Sequence, residues 1–212
     1  MNKKIEIEIP EGKVAEWKVI NGVMTLVLTE EKDNRPVTER IKTFEDACNE
    51  LERMAEKGDD TAANLLSDYE SNCNNILVKH TLATMKLSII AYALNEGLQP
   101  QFTKEECRWY PWFTFLAEKE LNEMSDEFKS KHNICLFGGE SHDDAYCCIV
   151  YADSYIDWAY SHAHFPFLIA VKSEELANYF GQQFIDIWSD YVALARKEDE
   201  RECFENLPES LQ

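Results

Sequence analysis

Glycine and proline are scarce in this chain of 212 residues, at 7 and 6. That scarcity excludes collagenous and low-complexity chains, which are built on those two residues. Basic residues are few as well: 21 Lys and Arg stand against 40 Asp and Glu, a net charge of −19. So acidic a chain repels phosphate backbones, and sequence-independent nucleic-acid binding needs basic patches that release counterions. Direct binding to nucleic acid or to an anionic membrane surface is therefore not expected, whereas a basic protein partner is allowed. Uncharged runs such as Leu87–Asn95 fall far short of the ~18 apolar residues that span a bilayer. The seven cysteines (Cys48, Cys73, Cys107, Cys135, Cys147, Cys148 and Cys203) include no CxxC pair. Neither a zinc ribbon nor a disulfide framework is indicated. The opening Met1-Asn2-Lys3-Lys4-Ile5-Glu6-Ile7-Glu8 puts glutamates where a signal peptide carries its apolar run. The expectation is a cytoplasmic protein with reduced thiols.

What is present suffices for a core. Hydrophobic residues make up 45% and aromatic residues 12%. The length is about 1.4 times a ~150-residue domain, and such a chain buries roughly 70–75% of its unfolded surface. Charge is unevenly spread. Residues 1–42 hold 8 basic and 8 acidic residues, 43–131 hold 9 and 17, and 132–212 hold 4 and 15.

Alternation of Lys3, Ile5, Ile7 and Ile9 against Lys4, Glu6 and Glu8 predicts a strand closed by Pro10-Glu11-Gly12. Trp17–Ile20 and Val23–Leu28 flank Asn21-Gly22. Asn-Gly between two apolar runs marks a hairpin, because both central residues must take positive φ. Thr43, with Asp46 three residues on, has the form of a capping box. The helix behind it carries Phe44, Ala47, Cys48, Leu51, Met54 and Ala55 and ends at Gly58. Asp59 or Asp60 opens a second helix through Ala62, Leu65, Leu66, Tyr69 and Cys73. A third, with a wide apolar stripe from Leu82 to Leu94, reads as central and stops at Gly97. Trp109–Phe115, interrupted by Pro111, reads as an edge or bulged strand. A surface helix follows over residues 117–131. Strand-like runs come next: Ile134–Phe137, Ala145–Ala152, Tyr155–Tyr160 and Phe165–Val171. Ser173 then caps one long helix striped by Leu176, Phe180, Phe184, Ile187, Trp188, Tyr191 and Leu194.

The fold class is therefore α+β: small antiparallel sheets with packed helices, then a C-terminal strand meander and a long amphipathic helix. Residues 1–75 form an N-terminal hairpin-and-helix segment, a candidate subdomain. Residues 76–195 form an α+β module, and 196–212 an acidic tail.

The order of blocks carries a resemblance. Lys86–Gly97 is followed by a proline, then Tyr110-Pro111-Trp112-Phe113, then a strand meander, then Lys172–Ala177 and Phe180–Ile187. Over roughly residues 80–195 this resembles an uncharacterised family of Bacteroidetes, prophage and phage proteins. Leu98 stands where the family pattern has Trp, and residues 116–132 look like an insertion. The resemblance implies an α+β module in a phage or prophage setting, in the host cytosol if phage-encoded. It implies no mechanism.

Candidate chemistry is thin. His162-Ala163-His164 would put both imidazoles on one face of a strand, where Asp143, Asp144 or His142 could add a metal ligand. A pair of ordinary histidines explains the same residues. Cys147-Cys148 lies in an apolar strand, where packing competes with nucleophilic chemistry. Gly138-Gly139-Glu140-Ser141-His142 lacks the Lys-Ser/Thr of a phosphate loop and reads as a turn, so no cofactor is called for. The run Trp109, Tyr110, Trp112, Phe113 and Phe115 is either core or an exposed platform for a partner. Tyr151, Asp153, Tyr155, Asp157 and Tyr160 make an acidic, hydrogen-bond-rich face, suited to a basic peptide or to solvent. Partner-binding candidates are thus Trp109, Tyr110, Trp112, Asp153 and Asp157.

Three functional readings follow. The first is a non-catalytic, acidic, phage- or prophage-associated interaction protein with a protein partner. The second is a DNA mimic or anti-defence inhibitor, since residues 132–195 carry nine carboxylates against the single base Lys172. The third is a metal-dependent hydrolase using His162 and His164. A catalytic role is the least expected of the three.

Overall fold

The computed structural model describes residues 7–30, 33–74, 79–98, 103, 106–131, 134–136, 146–158 and 167–192. The chain divides into two compact units, Met1–Pro36 and Val37–Gln212. The division falls after Pro36 and not near residue 75, because the helices between them bury their apolar stripes on a helix of the larger unit.

Among its described residues the smaller unit forms a hairpin of β1 (Lys13–Ile20) and β2 (Val23–Glu30) in continuous antiparallel register from Lys13↔Glu30 to Ile20↔Val23. Asn21 at φ 51 and Gly22 at φ 80 close it with the two left-handed residues that a two-residue turn demands. Of the strand expected over residues 3–9, positions 1–6 lie outside the described residues. Residues 7–10 form no strand, and Ile7 and Ile9 are exposed. The ladder with β2 ends at Lys13↔Glu30, so the alternation upstream finds no partner strand there.

The larger unit opens with α1 (Val37–Arg40), α2 (Phe44–Glu56), α3 (Asp60–Asn72) and α4 (Lys79–Leu94). The capping box of α2 is formed: Asp46 N–H donates to Thr43 Oγ1 at 3.1 Å, and Thr43 N–H to Asp46 Oδ2 at 2.9 Å. Desolvation, the largest single effect, raises the Asp46 carboxyl, but hydrogen bonds from the Thr43 side chain and from the N–H groups of Lys42 and Thr43 together hold it below its ordinary pKa. Asp59 caps α3 through the N–H groups of Thr61 and Ala62, both at 3.0 Å, and also accepts the Tyr92 hydroxyl of α4. In α4 every residue from Leu87 to Leu94 is buried, so this helix is the axis of the core. Against it pack α2 and α3, and, from the far end of the chain, α8 (Ile185–Val192).

The second sheet is built from β3 (Cys107–Ala117), β4 (Ile134–Leu136) and β5 (Tyr146–Trp158), antiparallel in the order β3-β5-β4. The segment Trp109–Phe115 is both an edge and irregular: Pro111 sits on an outer strand, and the register shifts between Trp112 and Phe113. Residues 117–131 form two short helices, α5 (Glu118–Glu123) and α6 (Asp126–Lys131). Leu121, Met124 and Phe128 close over Leu116, Ile134, Cys148 and Val150.

The expected meander differs in two ways. The described parts of the runs expected over Ala145–Ala152 and Tyr155–Tyr160 fall in one strand, β5 (Tyr146–Trp158), because the register with β3 continues past Ala152 as a bulge. Of the strand expected over Phe165–Val171, residues 165–166 lie outside the described residues, and the remainder forms a single 3-10 turn, Phe167–Ile169, with an isolated bridge between Trp109 and Val171. The buried Asn95 side chain supplies what a neighbouring strand would. Its Nδ2 donates to Ala170 O at 2.9 Å, and its Oδ1 accepts from Lys172 N–H at 2.9 Å.

The long C-terminal helix is two helices, α7 (Glu174–Gln183), capped by Ser173, and α8. Phe184, at φ −117 and ψ 32, turns the chain between them. The two halves share the second sheet but not α4: α7 lies on β3 and β5, and α8 lies mainly on α4 while also meeting β4 and β5. The apolar period runs through the break because both halves bury the same stripe. The acidic tail, 196–212, lies outside the described residues.

Candidate functional site

The aromatic run is divided between core and surface. Tyr110 is buried, and Trp109 and Phe113 pack on the helical core. Phe113 meets Trp188 of α8 at 5.4 Å and Tyr151 at 6.3 Å between ring centroids. Trp112 and Phe115 face outward, Trp112 with 54% of its surface exposed. Opposite Trp112 in the register stands Asp153, also exposed. Asp157 occupies β5 opposite Arg108. Of the five partner-binding candidates, then, Trp112 and Asp153 come together at the surface, and Trp109 and Tyr110 belong to the core.

Tyr151 marks where the sheet meets α7. Its hydroxyl donates to Asn178 Oδ1, and burial, with the charges of Asp153 and Glu174 adding, pushes its pKa up to about 12. Asp153 of the strand and Glu174 of the helix thus act on one phenol. Glu175 and Asp186 are exposed on the helices and Asp190 is half-buried. Glu140, Asp143 and Asp144 lie outside the described residues, as do His142, His162, His164 and the Gly138-Gly139 turn. Among the described residues, no three His, Cys, Asp or Glu side chains are grouped to hold a metal ion. Cys148 is buried in the small cluster under α5 and α6.

A second surface lies on the hairpin. Ala15↔Leu28, Trp17↔Leu26 and Val19↔Met24 are cross-strand pairs, and alternation puts all six side chains on one face. Trp17 is 65% exposed, Val19 69%, Met24 66% and Leu28 42%. The opposite face carries Val14, Glu16, Lys18, Ile20, Val23, Thr25 and Val27, with Lys18 Nζ 3.4 Å from Glu16 Oε2. This face was missed among the candidates, although the signal was in the sequence. Counting outward from Asn21-Gly22 pairs each apolar residue with another.

No protein-family model, curated protein or solved structure matches this chain. Among the described residues, no helix is long and apolar enough to cross a membrane.

Proposed function

We propose that this chain works by association and not by catalysis: an acidic accessory protein whose partner is another protein, in the phage or prophage setting that the resemblance of residues 80–195 implies. The observation that carries the reading is the hairpin face. Six apolar side chains lie side by side there, and four of the six are exposed. Apolar surface left in water forgoes roughly 25 cal/mol per Å², and contiguous exposed patches rimmed by polar residues mark interaction sites. Charge bears on the partner's kind. A net of −19 favours a basic protein surface over nucleic acid.

The test is retention of a partner by the full chain from the native host. Tagged wild-type protein and a Trp17→Ser/Met24→Ser variant are compared at equal loading and physiological salt. The expected result is one or more proteins held by the wild type and lost by the variant, with Trp17 dominating as buried aromatic anchors do. Identical retention by the two proteins would remove the hairpin face as the binding surface.

A further inference from the structure

We infer that a second copy of this chain pairs with the hairpin along the outer edge of β1. Antiparallel self-pairing about a two-fold axis at Trp17 would build a four-stranded sheet. The inference rests on the association reading above and specifies how its surface is assembled.

Three observations lead to it. The first is that the smaller unit, Met1–Pro36, holds among its described residues a sheet of two strands. Two strands are marginal in water, and three or more with an apolar face are needed for independent stability. The second is the parity of the ladder. A two-residue turn makes Ile20↔Val23 a hydrogen-bonded pair, so Lys18↔Thr25 and Glu16↔Val27 are hydrogen-bonded too. The backbone groups of Ala15, Trp17 and Val19 then point to the outer edge, and they take part in no hydrogen bond among the described residues. A two-fold axis at Trp17 pairs Trp17 with its own copy and Ala15 with Val19 of the second copy. These are the residues with outward N–H and C=O groups, and about six interchain hydrogen bonds follow.

The third observation is charge. In this register Glu16 stands opposite Lys18 of the second copy, and Lys18 opposite its Glu16, on the same face of the sheet. An isologous contact requires that kind of self-complementarity: what one strand presents, its own sequence reversed must satisfy. The outer edge of β2 offers no comparable signal, since Val23–Thr29 carries no charge. Residues 1–36 hold 6 basic and 7 acidic residues, whereas 37–212 hold 15 and 33. The hairpin is thus the part of the molecule that a second copy can approach with least repulsion. Pairing joins the two apolar faces into one platform of twelve side chains, doubling the surface open to a partner.

The test uses the full chain in sedimentation velocity over a range of concentrations, with Lys18→Glu, Glu16→Lys and the double swap Glu16→Lys/Lys18→Glu. Each single reversal places like charges opposite each other twice per dimer and is expected to weaken dimerisation by about tenfold. The double swap restores opposite charges and is expected to restore the dimer. Because Lys18 and Glu16 also pair within one chain, slow amide exchange at Thr25 and Val27, whose N–H groups are held within the hairpin, checks that each variant keeps it folded. A wild-type chain that stays monomeric up to about 200 μM overturns the inference, given that specific weak dimers populate in that range. So does a dimer indifferent to the single reversals, or a double swap as weak as either single. A monomer that still retains a host protein through Trp17 would refute self-pairing and leave the association reading standing. A dimer that retains none would do the reverse.

Discussion

Glu96 is the residue on which the larger unit is most plainly fastened. It sits at φ 54, beside Gly97 at φ 74, directly after the core helix α4 ends. A side chain in that left-handed region costs about 1 kcal/mol or more. The cost is offset by what the carboxylate holds: Lys172 Nζ at 2.7 Å and Arg40 Nη2 at 2.9 Å. Arg40 is itself bound to Glu50 of α2 at 3.0 Å. The end of α4, the first helices and the segment before α7 are thereby joined. The hydrogen bond from Lys172, first among the causes, holds the Glu96 carboxyl below its ordinary pKa against a smaller opposing effect of desolvation. The sign of the pH dependence follows. A depressed carboxylate contributes its stabilisation in full above the unfolded value of about 4.3 and loses it as pH falls through the lower folded value. Glu96→Gln is therefore expected to lower the urea midpoint at pH 7, with the gap to wild type narrowing below about pH 4. A gap of constant size from pH 7 to pH 3.5 would show that the carboxylate's charge is not what fastens these segments.

At the scale of elements, the seam between α7 and the second sheet is a close one at Gly181. A Cβ on Gly181 would lie 2.5 Å from Pro111 Cβ and 2.6 Å from Tyr151 Cδ2. Both neighbours are fixed, Pro111 by its ring in an edge strand and Tyr151 by its hydroxyl bond to Asn178. Helix propensity alone makes Gly→Ala favourable by about 1 kcal/mol. Overpacking costs typically 1–3 kcal/mol and acts in the opposite sense. Clash distances this short decide for the second effect. Gly181→Ala is expected to lower the urea midpoint by the equivalent of about 1–2 kcal/mol, with an unchanged m-value. A more stable variant would mean that α7 rides on the sheet more loosely than its spacing implies.

For the whole molecule, charge sets a tension that local pairs only partly relieve. The larger unit holds 15 basic and 33 acidic residues, so its excess is −18. Compact states of high net charge are destabilised by self-repulsion. Among the described residues, attractive pairs such as the largely buried Arg40–Glu50 and the more exposed Lys172–Glu96 act against it, and exposed pairs contribute at most about 1 kcal/mol each. Repulsion should prevail. The thermal midpoint is expected to rise by a few degrees as salt increases from about 10 to 150 mM, where the Debye length falls from ~30 to ~8 Å. Circular dichroism melts across that range provide the check. A midpoint that falls with salt would give the local pairs the larger share.

The sequence alone determined what is chemically local. Asn21-Gly22 dictates the hairpin because a two-residue turn needs two positive φ angles, and the register of all eight pairs follows from it. Thr43 and Asp46 satisfy each other across three residues, and Asp59 caps α3 from the position immediately before it. The continuous apolar stripe of α4 announced its place at the centre of the core. What depends on the element lying across the way was decided only in the fold. Alternation along Trp109–Phe115 cannot say which side a helix covers; Phe113 is covered by α8, whereas Trp112 stays largely exposed. The bulge opposite Trp112 and Phe113 turned two expected strands into one. Asn95, an unremarkable polar residue beyond a helix, took a strand's role for Ala170 and Lys172, seventy-five and seventy-seven residues away. The period of α7 and α8 concealed their break, because periodicity records which side chains are buried and not against what. Long-range partners of this kind are fixed by packing, where free energy is gained by a pair of surfaces and belongs to neither sequence segment alone.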